Sequence, residues 1–257
     1  MRYLNALRRR EQRPEAPSTA GGERVYAIGD VHGRLDLLHI LLARIEEHER
    51  TLPPAAPSQL VLLGDLIDRG PHSAAVLEAV RELQQSRGNV SVLLGNHEQA
   101  LLDVLGGAFS AFYAWLEFGG KETLASFGVP LPEGYFEPHD QIAALRGAIP
   151  PETVEWLRGL PLSLRSGDYF FCHAGLRPGV ALLRQRREDL LWIRDDFLES
   201  DSDHGVVVVH GHSIVHAVEQ RPNRIGIDTG AYQSNKLAAL YLEGFARDVL
   251  TVGISSP

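Results

Sequence analysis

The stretch "NVSVLLGNHEQALLDVL", residues 89–105, decides how the chain is read. Residues 89–94 form an apolar run short enough for a buried strand, and residues 99–105 carry leucines at helical spacing. Between them stand Gly95, Asn96, His97 and Glu98. A buried strand has no need of a carboxamide, an imidazole and a carboxylate at its tip. Either these groups cap the helix that follows, or they carry chemistry.

The same order occurs twice upstream. "RVYAI" (24–28) runs into "GDVHGR" (29–34) and a helical pattern over 35–50, with Leu37, Leu38, Leu41, Leu42 and Ile45 on one face. After the connector "PPAAPS" (53–58), "QLVLL" (59–63) runs into "GDLIDRGP" (64–71) and a second helical pattern over 72–86. Three strand–loop–helix units predict an α/β fold with a mainly parallel sheet, in which ligands sit at the carboxyl ends of the strands. Residues from about 103 to 160 break the rhythm with Gly, Pro and aromatics, and predict a mostly helical inserted lobe whose Trp115, Phe118 and Phe127 seat it on the core. Strands resume with "YFFC" (169–172) into "HAGLRPG", "GVVVV" (205–209) into "HGHS", and "RIGI" (224–227) into "DTGAY"; "KLAALYLEG" (236–244) reads as one member of an antiparallel pair.

A chain of 257 residues suits one large domain, here 23–257, preceded by a basic and then Pro/Ala/Gly-rich segment, 1–22, expected to be mobile. No apolar run approaches the roughly 18 residues of a membrane span, so no membrane partner is expected. The net charge of −8 argues against a nucleic-acid partner, since phosphate-backbone affinity rests on clustered Lys and Arg. The single cysteine, Cys172, permits no internal disulfide, fits a cytoplasmic location, and reads as a small buried apolar residue.

The strand tips present Asp30 and His32, then Asp65, then Asn96 and His97, then His173, then His212. Carboxylates, a carboxamide oxygen and neutral imidazoles suit manganese, iron or zinc, and they are too many for one ion. Two ions need a bridging ligand, which a carboxylate with two oxygens supplies. One such tip is readily explained as a helix cap; five on one sheet edge are not. Glycine beside each cluster (Gly29, Gly33, Gly64, Gly70, Gly95, Gly175, Gly211) is expected to let the loops turn sharply.

"GDVHG", "GDLIDRG", "GNHE", "HAG" and "HGHS", in this order over residues 25 to about 240, resemble the metallophosphoesterase superfamily, in its phosphoprotein phosphatase branch. "WLEFGGKETLASFG" and "IDTGA" add a likeness to compact bacterial and phage serine/threonine phosphatases. The resemblance implies two mixed β-sheets packed face to face with flanking helices, the calcineurin-like four-layer sandwich. It implies that Asp30 and His32 hold one divalent ion, that Asp65 bridges, and that Asn96, His173 and His212 complete the second. It makes His97 the general acid, oriented by Asp68, and Arg69 and Arg194 of "LWIRDDF" the phosphate-gripping arginines, with Asn96 also facing substrate. Arg177 is a weaker candidate for that grip. Ile214 stands where some relatives place a further histidine ligand, so His212 alone is assigned from its loop, and His210 is given a supporting or structural role.

Two ions, manganese first with iron or zinc as alternatives, would lower the pKa of a bridging water toward roughly 7 for direct attack on phosphorus, with His97 protonating the leaving group. The expected substrate is a phosphorylated protein, cleaved by a serine/threonine phosphatase. A dinucleoside polyphosphate such as diadenosine tetraphosphate is the alternative, and a catalytically silent phospho-ligand module the remote one.

Overall fold

The computed structural model describes residues 16–53, 58–131 and 136–255. Its strands in chain order are β1 (Arg24–Ile28), β2 (Ser58–Leu62), β3 (Val90–Val92), β4 (Ser163–Ser166), β5 (Tyr169–Cys172), β6 (Val207–His210), β7 (Glu219–Gln220), β8 (Arg224–Gly226), β9 (Lys236–Glu243) and β10 (Ala246–Gly253). They form two five-stranded sheets, ordered β10-β9-β1-β2-β3 and β4-β5-β6-β8-β7. Strands β1-β2-β3 run parallel in one sheet and β5-β6-β8 in the other, while β9, β10, β4 and β7 run antiparallel to their neighbours.

Alternation within the strands explains the layers. Val25 and Ala27 of β1 face Tyr169, Phe171, Val207, Val209 and Ile225 of the other sheet, closing an inter-sheet core. Tyr26 and Ile28 point the opposite way, against Leu37, Leu38 and Leu41 of α1 (Leu35–Thr51) and Val76, Leu77 and Val80 of α2 (Ser73–Ser86). Both faces of the strand are therefore buried, which is why it reads as a continuous apolar run rather than an alternating one. On the far side of the second sheet, Phe170, Cys172 and Val208 pack with Leu190, Ile193 and Phe197. Cys172 is buried, and burial pushes its thiol well above the ordinary range. Among the described residues no helix is long and apolar enough to cross a membrane.

The chain between β3 and β4 is helical. It holds α3 (Asn96–Leu105), α4 (Phe109–Trp115), a π turn over Leu116–Gly120, α5 (Lys121–Ser126), α6 (Pro138–Ala148) and α7 (Pro151–Arg158). Phe112, Trp115, Leu124, Ile142, Leu145 and Leu157 join the core beneath α1 and α2, and Phe127 packs partly buried against it. Phe118 does not seat the lobe as expected, since it is 52% exposed.

Of the segment expected to be mobile, residues 1–15 lie outside the described residues. Residues 16–22 are held. The Ser18 N–H donates to Asp168 Oδ2 at 3.0 Å and the Ala20 N–H to Ser166 Oγ at 3.1 Å, while Thr19 exchanges hydrogen bonds with Gly244. Composition did not reveal this, because these residues bond through their backbone to turns of both sheets.

Candidate active site

Every cluster named from the sequence lies where a parallel strand ends: Asp30 and His32 after β1, Asp65 after β2, Asn96 and His97 after β3, His173 after β5, His212 after β6. All seven side chains are buried. The capping explanation fails for the opening stretch, because α3 already begins at Asn96 and its Gly95 N–H is capped by Glu98 Oε2 at 3.0 Å. No side chain caps α1 or α2 either. His32, Asp65, Asp68, Arg69 and His212 all have positive φ, between 46° and 70°, a conformation that costs an L residue roughly 1–3 kcal/mol and gathers at functional sites. Gly95 and Gly211 matter for space more than for turning: a Cβ on either would stand 2.2 Å from Asp65 Oδ1 or 2.0 Å from Asp30 Oδ1.

The donor atoms form two groups sharing Asp65. Asp65 Oδ1 lies 3.4 Å from His173 Nε2, and Oδ2 lies 3.7 Å from His32 Nε2 and from His97 Nε2. Asn96 Oδ1 is 2.7 Å from both His173 Nε2 and His212 Nδ1, which are 3.2 Å apart. His173 Nδ1 donates to the Leu63 carbonyl and His32 Nδ1 to the Ile67 carbonyl, so each ring turns a bare Nε2 lone pair inward. Burial lowers His32 to about 3 and His212 to about 2, the latter with help from His173, which keeps both rings neutral. Asp65 resists burial because His173, His97 and His32 surround it, and it stays ionised. Lone pairs converging with too few protons between them are what a pair of cations resolves, and the oxygen and nitrogen donors fit divalent transition ions.

Asp30 stands beside these groups rather than within them. Its carboxylate accepts the His212 N–H, at 3.0 Å to Oδ2, and faces Asp228; burial first, then Asp228 and Asp65, raise it well above the carboxylate range. Asp228 itself is pushed up to about 6 by burial. Three buried carboxylates in one space add to the demand for positive charge.

The proton-bearing side is equally ordered. His97 Nδ1 lies 2.6 Å from Asp68 Oδ2, and that oxygen also accepts Trp115 Nε1–H at 3.0 Å. Asp68 Oδ1 accepts Thr123 Oγ1–H at 2.5 Å. The lobe thus reaches the site through Trp115 and Thr123, both buried. Arg69, with its guanidinium 4.8 Å from the Tyr232 ring centroid, donates to His32 Nε2 and His97 Nε2, each at 3.1 Å. Burial opposes charge on His97, but Asp65 and Asp68 outweigh it and raise the ring above its ordinary value. These two observations conflict, since the Arg69 N–H requires a lone pair where the carboxylates favour a proton. The Asp68 bond is the lasting one, because it persists when the long Arg69 side chain turns toward an anion.

Arg194 lies close enough that its charge, after burial and their neighbouring groups, helps lower His173 and His212, and among the described residues no carboxylate pairs with it. It is free to grip an anion. Arg177 is not, since it is held by Asp189 and Asp196. His210 packs against the Phe197 ring at 5.1 Å, and its Nδ1 lies 3.0 Å from the Gly211 carbonyl oxygen.

Glu98 was present in the opening stretch without an assigned role. It is fully buried, and its two oxygens accept four backbone N–H groups, from Asp65, Leu66, Ile67 and Gly95, at 2.8–3.3 Å. Burial, then Asp65, push its carboxyl up to about 7; with every acceptor position committed, the ionised form is the one this geometry requires. Glu98 ties the Asp65 loop to the Asn96 helix and offsets the backbone strain there. Glu98→Gln should turn an NH₂ toward buried N–H groups, costing about 3 kcal/mol and so roughly 5–10 °C in Tm, and should weaken metal affinity about 10–100-fold. Calorimetry with and without Mn²⁺ checks both; an unchanged metal affinity would confine Glu98 to stability.

With this arrangement in view, likeness to known proteins becomes informative. The chain belongs to the calcineurin-like phosphoesterase family, whose profile matches residues 23–243. A symmetrical bis(5'-nucleosyl)-tetraphosphatase of Janthinobacterium sp. (strain Marseille) is 33% identical over 153 residues, 60% of this chain and 44% of its own. The protein of that name from Dechloromonas aromatica is 33% identical over 162 residues, 63% of this chain and 47% of its own. The chain therefore spans about half the length of these curated relatives. Among solved structures, a putative diadenosine tetraphosphatase superposes with a TM-score of 0.62 at 21% identity, over 94% of this chain and 100% of its own. A yeast serine/threonine phosphatase superposes at 0.55 and 16% identity, over 94% and 85%. At such identities the structures establish the shared fold and nothing finer. The named relatives fit the dinucleoside alternative better than the protein phosphatase expected first.

Proposed function

We propose that this chain hydrolyses dinucleoside polyphosphates, cleaving a tetraphosphate bridge at its central anhydride with water to give two nucleoside diphosphates. Support for the substrate comes from the names of relatives at 33% identity. Support for the chemistry rests on one observation: the two oxygens of Asp65 face different sets of imidazole lone pairs. Two divalent ions, manganese foremost, held by Asp30, His32, Asp65, Asn96, His173 and His212, would supply an activated water and neutralise phosphate charge.

The chain's own residues do the rest. Arg69 leaves His32 and His97 for phosphate oxygens, since a doubly charged anion outcompetes neutral imidazole for a guanidinium. Arg194 approaches from the His173 and His212 side. The released His97 Nε2 takes up a proton favoured by Asp68 and passes it to the departing phosphate oxygen. Buried Trp115 and Thr123 keep Asp68 from rotating.

The test compares kcat/KM of Mn²⁺-loaded protein on diadenosine tetraphosphate, phosphoserine and phosphothreonine peptides, and nitrophenyl phosphate, with product analysis. The dinucleotide should be preferred by at least about 10-fold and yield ADP alone. A peptide preference would restore the protein phosphatase reading, and ATP plus AMP would overturn the central cut.

A further inference from the structure

Beside the two ion-binding groups lies an apolar ledge that the chemistry above does not use. Trp192 is 41% exposed, and its indole meets the His212 imidazole edge to face, with ring centroids 6.3 Å apart and an interplanar angle of 84°. Ile214, two residues after His212, is 43% exposed. An indole carries a large apolar area that a fold normally hides, so an exposed one against a site histidine invites a partner.

Local backbone fixes this position. Helix α8 (Arg187–Trp192) ends at Trp192, Ile193 is extended at φ −61° and ψ 141°, and α9 (Asp195–Leu198) begins directly after Arg194. Ile193 is buried in the core on the outer face of the second sheet. Ile193 is anchored inward, while its two chain neighbours, Trp192 and Arg194, turn outward. Both are exposed. An aromatic plane against His212 and a guanidinium that no carboxylate pairs with among the described residues thus stand two positions apart in the chain.

We propose that Trp192 is the stacking platform for a nucleobase whose attached phosphates are gripped by Arg194. This rests on the dinucleoside reading and deepens it. In such a substrate two phosphates and one ribose separate the cleaved anhydride from each base, so the base must lie beyond the arginine that holds the phosphates. Stacking tolerates any base, because each has a π face. The ledge therefore selects for a base without choosing among bases.

The experiment measures equilibrium binding of ADP and of pyrophosphate to Mn²⁺-loaded wild type, Trp192→Phe and Trp192→Ala by titration calorimetry. ADP should bind wild type more tightly than pyrophosphate. Trp192→Ala should lose about 5- to 100-fold in ADP affinity, with a far smaller change for pyrophosphate, and Trp192→Phe should recover most of the loss. Equal losses for both ligands would mean that Trp192 acts through His212, and would overturn the platform. So would an ADP affinity no greater than that for pyrophosphate. If ADP behaves as expected while diadenosine tetraphosphate is not hydrolysed, the base site stands and the proposed substrate falls.

Discussion

His97→Ala should lower kcat on a phosphoserine peptide by about 10²–10⁴-fold, or roughly 3–5.5 kcal/mol of barrier, while costing nitrophenyl phosphate far less. The reason is the leaving group. A serine alkoxide cannot depart without a proton, whereas a nitrophenolate can. A nucleoside diphosphate falls near the nitrophenolate, since its terminal phosphate titrates near 6. Loss on diadenosine tetraphosphate should therefore be intermediate or small. The variant should fold, because the bond from this residue to Asp65 Oδ1 is made by its backbone N–H, at 3.1 Å, and survives the truncation. Were His97 only a packing element in the first turn of α3, all three substrates would lose activity alike. Rates on metal-saturated protein separate the two outcomes.

Asp65→Asn should be the more damaging change. Its side chain meets His173 through one oxygen and His32 and His97 through the other, so a single carbonyl oxygen cannot serve both groups. Even partners one shell out from a metal are worth about 10–100-fold in affinity, and a shared ligand should exceed that. Activity on every substrate should fall together, with no dependence on the leaving group, which distinguishes this variant from His97→Ala. Selective loss on one substrate would argue that Asp65 handles protons instead.

Much of this was legible in the chain. Apolar runs such as 24–28 and 169–172 became β1 and β5 because both faces of each strand are buried, which leaves an unbroken hydrophobic signal. Polar clusters at the ends of such runs pointed to one sheet edge, whereas His32, Asp65 and Asn96 come from the strand ends of one sheet and meet His173 and His212 from those of the other. Other features had no local signal. Edge strand β10 is mostly exposed, with Leu250 its one buried residue, and reads like a loop. Helix α3 starts earlier than its leucine spacing suggests, since Asn96 and His97 are weak helix formers and Glu98, which caps the helix, also bonds to a loop 31–33 residues away. Trp115 and Thr123 approach Asp68 only through the fold of the lobe, across 47 and 55 residues. Whether an arginine is free or paired is likewise a tertiary fact: Arg194 is followed directly by Asp195 and Asp196, yet among the described residues it is Arg177 that Asp189 and Asp196 hold.

The most direct measurement is metal content and calorimetric Mn²⁺ titration of the purified chain, in wild type, Asp30→Asn and Asp65→Asn. A dinuclear centre bridged by Asp65 predicts two ions per chain in wild type, with both sites weakened together in Asp65→Asn and one weakened first in Asp30→Asn. Saturation of wild type at a single ion, or an Asp65→Asn protein that still binds two ions with unchanged affinity, would contradict it.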